Sequence, residues 1–228
     1  MQEDLFSGAE PQDDPYYHSA APLVPRTDDL DAVALASKGC RACHLWRLGT
    51  QTVFGEGPQS ARVVFVGEQP GDKEDLAGRP FVGPAGQVFE RALEEAGISR
   101  ADAYVTNAVK HFKWIPQAGR RLHQKPNRKE QIACRPWLEA ELALVRPEVL
   151  VLLGATAAQS LLGSDFKITK NRGRFLESNL APRVIATLHP SAVLRQPDED
   201  ARAEAYAGLV ADLRMAAGVL SERKGYVA

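Results

Sequence analysis

Four short apolar runs, at 62–67, 103–107, 149–153 and 183–187, punctuate the chain. Each is β-branched and apolar at consecutive rather than alternating positions, the pattern of strands covered on both faces of a parallel sheet. Between and after them, apolar positions recur at helical spacing over 86–96, 128–145, 155–162 and 201–217. An earlier helix is predicted near 29–36, where acids in the first turn suit the helix dipole. Strands separated by helices predict a three-layer α/β/α fold with a central, mainly parallel four-stranded sheet. The expected organisation is one domain over 29–220, between an acidic, disordered tail at 1–28 and a short tail at 221–228.

In such sheets ligands sit beyond the carboxyl ends of the strands. There the chain reads Gly67-Glu68-Gln69-Pro70-Gly71-Asp72, Thr106-Asn107-Ala108-Val109-Lys110-His111, Gly154-Ala155-Thr156 and His189-Pro190-Ser191. A carboxylate, amides, an imidazole and hydroxyls thus point from neighbouring strands toward one crevice. Any one of these turns alone is ordinary; four on one face are a candidate site. A loop at 78–86 sets Phe81 among glycines and prolines, either a plug for the core or a stacking surface for a planar ring. Neither a Gly-x-Gly-x-x-Gly nor a Walker A pattern occurs, so nucleotide-cofactor readings lack their usual anchor.

Composition narrows the class. With 228 residues, 44% of them hydrophobic, the chain can bury a sizeable core, which excludes collagen-like, disulfide-scaffold and wholly disordered proteins. No run approaches the ~20 apolar residues of a membrane span, and the acidic N-terminus has no signal-peptide pattern. A cytoplasmic location is therefore expected, with three cysteines serving a metal or catalysis rather than bridges. The net charge of −1 speaks against a nucleic-acid partner until it is resolved along the chain. Residues 1–31 carry −7 and residues 110–135 carry +7, the second an electrostatic footprint for phosphate.

Cys40-Arg41-Ala42-Cys43-His44 matches haem attachment, a redox pair or half of a metal site. The first requires export, and the second belongs at a strand-to-helix turn, whereas this pair precedes the first strand. As a metal site it takes Cys134 as third ligand and one of His44, His111 or His123 as fourth, a set that suits zinc and iron–sulfur alike.

Taken in order, the Cys-x-x-Cys opening, Gly-Glu-Gln-Pro-Gly-Asp, Gly-Arg-Pro-Phe-Val-Gly-Pro-Ala-Gly, Thr-Asn-Ala-Val-Lys and His-Pro-Ser resemble the iron–sulfur branch of the uracil-DNA glycosylase superfamily, over about 37–217. Gln69, His111 in place of the branch's usual cysteine, and a basic loop ending Arg120-Arg121-Leu122-His123 resemble its X type. Gly119 and Leu122 depart from that type's Lys-Arg-Arg-Ile-His signature. The resemblance implies a [4Fe–4S] cluster on Cys40, Cys43, His111 and Cys134, and a monomer acting on uracil-containing, preferably single-stranded, DNA. It implies a flipped uracil stacked on Phe81 and read by Asn107, with Gln69, Asp72 and Ser191 as further substrate contacts. His189 is then expected to stabilise the departing base, and Glu68 and Gln69 to lie on the sugar side. Arg120, Arg121 and Lys110 are expected on the DNA backbone. His123 would capture the sugar cation with Glu68 taking its proton, leaving a stable covalent adduct. The alternatives are a turnover glycosylase in which water completes the reaction, and a DNA-binding module on an inactive fold of this kind.

Overall fold

The computed structural model describes residues 18–222. Its strands are β1 (Val63–Gly67), β2 (Ala103–Asn107), β3 (Trp114–Gln117), β4 (Arg120–His123), β5 (Val149–Leu153), β6 (Phe175–Leu176) and β7 (Arg183–Thr187). Its helices are α1 (Leu30–Ser37), α2 (Asp72–Ala77), α3 (Pro84–Ala96), α4 (Arg128–Val145), α5 (Gly154–Leu162), α6 (Ile168–Asn171), α7 (Pro190–Leu194) and α8 (Glu199–Glu222).

The four expected strands run parallel in the order β2-β1-β5-β7. The sheet has five strands rather than four, because β6 pairs antiparallel along the outer edge of β7. Two residues carry no periodicity, so this edge strand left no trace in the sequence pattern. Every residue of β1, β2 and β5 is buried, as consecutive apolar positions require. Val63 and Phe65 face Phe89, Leu93, Leu209 and Leu213 of α3 and α8. Val64 and Val66 face Leu138 and Leu142 of α4 and Ala157 of α5. Burying each such large apolar side chain stabilises the fold by roughly 1.5–3 kcal/mol.

Helix α4 starts on a capping box. Asn127 Oδ1 accepts from the Glu130 backbone N–H at 2.9 Å, and Glu130 Oε2 accepts from that of Asn127 at 2.6 Å. A third buried cluster joins Ala20, Val33, Leu45, Val109 and Trp137 to all three cysteines. Most of the expected tails, residues 1–17 and 223–228, lie outside the described residues. Residues 18–28, assigned to the acidic tail from their charge, instead pack against the domain. The His18 N–H donates to Ala42 O at 2.8 Å, that of Ala20 to Ala133 O at 2.9 Å, and Ala20 is fully buried.

The basic segment expected as a loop is a hairpin, β3–β4, with Trp114 opposite His123 and Gln117 opposite Arg120. Ala118 and Gly119 both take positive φ, 48° and 74°, as a two-residue turn matched to strand twist requires. Glycine at 119 thus suits the turn, where a lysine would sit strained.

Candidate active site

The sheet order sets Asn107, Glu68, Gly154 and His189 side by side at the exits of β2, β1, β5 and β7. With Gln69, Phe81, His123, Thr156, Ser191 and Arg195 they line a cleft of about 650 Å³. Gly67 ends β1 beneath this cleft, and only glycine fits there. A Cβ would overlap Asn107 Oδ1 and come within 2.9 Å of Phe81 Cζ, so the amide and the ring both lie directly over the strand end. Phe81 holds φ of 57°, strained for a residue with a side chain, and its carbonyl is pressed by Gly86 of α3. Its ring packs on Phe89 at 4.9 Å between centroids and lies nearly parallel to His189 at 6.1 Å and 28°. Phe81 therefore touches the core and also lines the cleft.

His189 caps α7, its Nδ1 accepting the Ser191 backbone N–H at 3.1 Å. That leaves the proton on Nε2. Burial, then the charges of Arg195 and His123, push its pKa down to about 4, so the ring is a neutral donor at pH 7. Ser191 Oγ lies 2.8 Å from the same Nδ1 and accepts from Arg195 at 3.0 Å. Ser191 thus reaches the cleft chiefly through His189.

His123 ends the hairpin, about half exposed, with Nε2 3.3 Å from Glu68 Oε1. Burial on its other side lowers its pKa, Glu68 opposes that shift and Arg195 adds to it. Glu68 is fixed from behind by Thr156, whose hydroxyl donates to Oε2. Three clamps hold the hairpin. Gln69 Nε2 donates to Gln124 O at 3.0 Å and Lys113 O at 3.2 Å, and its Oε1 accepts from the Lys113 N–H at 3.1 Å. Arg121 reaches Asp72 Oδ1 and the buried Asp75 Oδ2, each at 2.5 Å, beneath the rings of Phe112 and Trp114. Trp114 Nε1 donates to Leu48 O at 2.7 Å.

These contacts revise several expectations. Arg121 and Asp72, expected on phosphate and substrate, are spent on each other, and Asp72 does not line the cleft. Lys110, expected on the DNA backbone, is 1% exposed and bonds Glu141 Oε2, Thr106 Oγ1 and Asn107 O. A lysine in a basic run looks like surface until its acidic partner, 31 residues on, is seen beneath it. Arg120 is exposed on the solvent side of the hairpin. Thr156 stood at a strand exit without a role of its own, since a Thr in the first turn of a helix ordinarily serves its own backbone; Arg195, which follows the His-Pro-Ser turn without a motif, was missed.

Cys40, Cys43 and Cys134 are unbridged and buried in the third apolar cluster. Burial pushes the Cys43 thiol up to about 12, with the nearby Cys40 adding to it, and raises that of Cys134 as well. His111 is buried, with Nε2 3.1 Å from Thr52 Oγ1. The single Thr52 hydroxyl proton goes to Ser37 O at 3.0 Å, so the imidazole donates and Nδ1 keeps its lone pair. His44 sits instead 3.4 Å from Glu130 Oε1, and His123 faces Glu68. Trp137 Nε1, in the same cluster as the thiols, is buried and has no hydrogen-bond partner among the described residues. Donor chemistry and burial thus fit a thiolate-bound cluster with one imidazole. Among the described residues, however, no three His, Cys, Asp or Glu side chains form a metal-ligand group. Among them also, no helix is long and apolar enough to cross a membrane.

Fold and cleft define a doubly wound α/β protein with a cleft at the strand exits, floored by an aromatic and walled by an amide and an imidazole. The chain belongs to the uracil DNA glycosylase superfamily, whose family profile matches residues 54–214. It is 40% identical over 181 residues to the type-4 uracil-DNA glycosylase of Thermotoga maritima, covering 79% of this chain and 91% of that one. It is 36% identical over 178 residues to the type-4 enzyme of Saccharolobus solfataricus, covering 75% and 79%. Against the type-5 enzyme of Thermus thermophilus it is 31% identical over 167 residues, covering 59% and 72%.

Proposed function

We propose that this protein excises uracil from DNA and captures the resulting sugar on His123, forming a stable covalent adduct. The observation that carries capture is the pairing of a half-exposed imidazole with Glu68 at 3.3 Å, inside the cleft that holds Asn107, Phe81 and His189. A uracil flipped from the stack lies on Phe81, and the Asn107 amide pairs with one donor and one acceptor of its edge. As the C1′–N1 bond breaks, its electron pair stays on uracil, and His189 Nε2–H donates to the carbonyl that gathers the charge. The Glu68 carboxylate stands on the side of the positive sugar. The ring nitrogen of His123 that carries the lone pair then bonds C1′, and the proton on the opposite nitrogen leaves to Glu68. Gln69 and Arg121 hold the hairpin that delivers the ring.

In the same proposal Cys40, Cys43, His111 and Cys134 hold a [4Fe–4S] cluster, which bound would tie the N-terminal region, the exit of β2 and α4 together and enters no step of excision. Purified protein should then carry iron and sulfide in equal amounts, with broad absorbance near ~400 nm. A colourless, iron-free protein that is fully active would refute it.

One gel tests the function. A single-stranded oligonucleotide with one uracil is mixed with the protein and boiled in detergent. A protein–DNA band should survive, and His123→Ala should abolish it. Abasic DNA without a band would establish turnover by water instead, and neither product would leave a binding module.

A further inference from the structure

We propose that Thr156 is a positioning residue that decides between capture of the sugar by His123 and its hydrolysis by water. The inference rests on the capture reading above and concerns a residue at the cleft wall that acts through Glu68.

Thr156 lies in the first turn of α5 and is 3% exposed. A buried hydroxyl must find an acceptor, and in a helix the default is a backbone carbonyl one turn back. Here it crosses to the neighbouring strand exit instead and donates to Glu68 Oε2. The crossing follows from topology. β1 and β5 are adjacent and parallel, with Val66 beside Leu152, so Glu68 leaves one strand next to the turn that starts α5 on the other. Gly154 makes that turn sharp at φ of 88°, and a Cβ there would come within 2.9 Å of His189 Cβ. The first turn of α5 is therefore a rigid mount, pressed against one catalytic side chain and bonded to another.

The bond leaves Glu68 one uncommitted oxygen. Oε1 faces His123, while Oε2 is held by Thr156. A glutamate at a strand exit has three rotatable bonds and, untethered, samples several rotamers. The sugar cation has two possible nucleophiles, imidazole and water, and both need a carboxylate to take a proton as they bond C1′. Tied through Oε2, Glu68 serves the ring. Released, it can turn either oxygen to a water in the cleft, whose hydroxyl then bonds C1′ and whose proton goes to the carboxylate. The Thr156 hydroxyl thus biases the outcome without taking part in bond cleavage.

A merely structural hydroxyl predicts something different: its loss lowers stability and slows adduct and abasic product alike. The readout is therefore the ratio of the two products. Wild type, Thr156→Val and Thr156→Ser are each reacted in excess over a uracil oligonucleotide. Adduct is read as the boil-resistant band and abasic product by alkali cleavage, with melting temperatures measured alongside. A hydrogen bond to a charged group is worth enough that the adduct-to-abasic ratio should fall by about tenfold or more in Thr156→Val. Thr156→Ser, which keeps the hydroxyl, should restore it. An unchanged ratio in Thr156→Val, or no recovery in Thr156→Ser, overturns the role of Thr156 while leaving capture standing. Absence of adduct with the wild type overturns capture itself, and this inference with it.

Discussion

Replacing His189 with Ala should slow single-turnover uracil release by about 10²–10³-fold, the usual cost of removing one donor aimed at developing negative charge. The size of the effect follows from how the ring is held. Its Nδ1 is committed as the cap of α7, so the Nε2 proton has no rival position. Loss of a cap costs about 1 kcal/mol in its own right. His189→Ser separates the two effects, because the serine oxygen can accept the same backbone N–H while lacking a group long enough to reach the base. Both variants should lose release to a similar extent, and only the alanine should lose helix stability as well. The ring's acidity adds a second signature. Since its pKa is depressed to about 4, release by the wild type should hold steady as pH falls from 8 toward 5, then decline as the ring is protonated and its cap bond breaks. The sign for stability is the same. The unfolded chain binds this proton near pH 6.5 and the folded chain only near 4, so stability present above 6.5 is lost as pH falls through that interval. An acid midpoint for release near 6.5 would show that the ring titrates as an exposed histidine does.

The parts of this site that lay on strand exits were legible because two simple rules coincide there: consecutive apolar residues mark buried parallel strands, and ligands bind past their ends. Glu68, Asn107 and His189 needed nothing more to be brought together. What escaped notice depended on contacts between residues far apart in the chain. Arg121 reads as a phosphate ligand until Asp75, 46 residues earlier, is found beside it. Gln69 reads as a substrate contact and does line the cleft, but its amide also spans both legs of the hairpin base. The hairpin escaped because Ala118-Gly119 lacks the Asn-Gly or Asp-Gly signal of a tight turn and because Pro116 discourages a strand. Position 116 lies at an exposed edge, where a missing N–H costs little. Local charge therefore singled out the segment that brings His123 to the cleft while misassigning two of its cations, for a count of bases cannot separate those facing solvent from those facing carboxylates.

Lys110 is the clearest such cation, and its removal should be the most damaging to the fold. Its ammonium lies 2.5 Å from Glu141 Oε2, with both side chains at most 1% exposed. Glu141 also accepts from Tyr104 OH, Thr106 Oγ1 and the Gly55 N–H, so one carboxylate joins β2, α4 and the segment before β1. Breaking a buried pair from one side costs about 3–5 kcal/mol, because the remaining charge has lost its partner. Against a total of roughly 5–15 kcal/mol that is a large share of the stability. In a chain of this size it should lower the melting temperature of Lys110→Met by roughly 6–20 °C. Glu141→Gln should cost a similar amount. The double replacement should cost clearly less than the two added together, since it buries no lone charge, and strict additivity would mean the two groups do not act as a pair. The lysine also holds the Asn107 carbonyl at 2.8 Å, and its backbone N–H donates to Cys134 Sγ at 3.2 Å. One residue thus sets the amide that would read uracil and braces the cysteine cluster. At a temperature where Lys110→Met remains folded, uracil release should still fall, because the exit of β2 has lost the charge that fixed its final carbonyl. Full release by a folded Lys110→Met would confine the pair to stability alone.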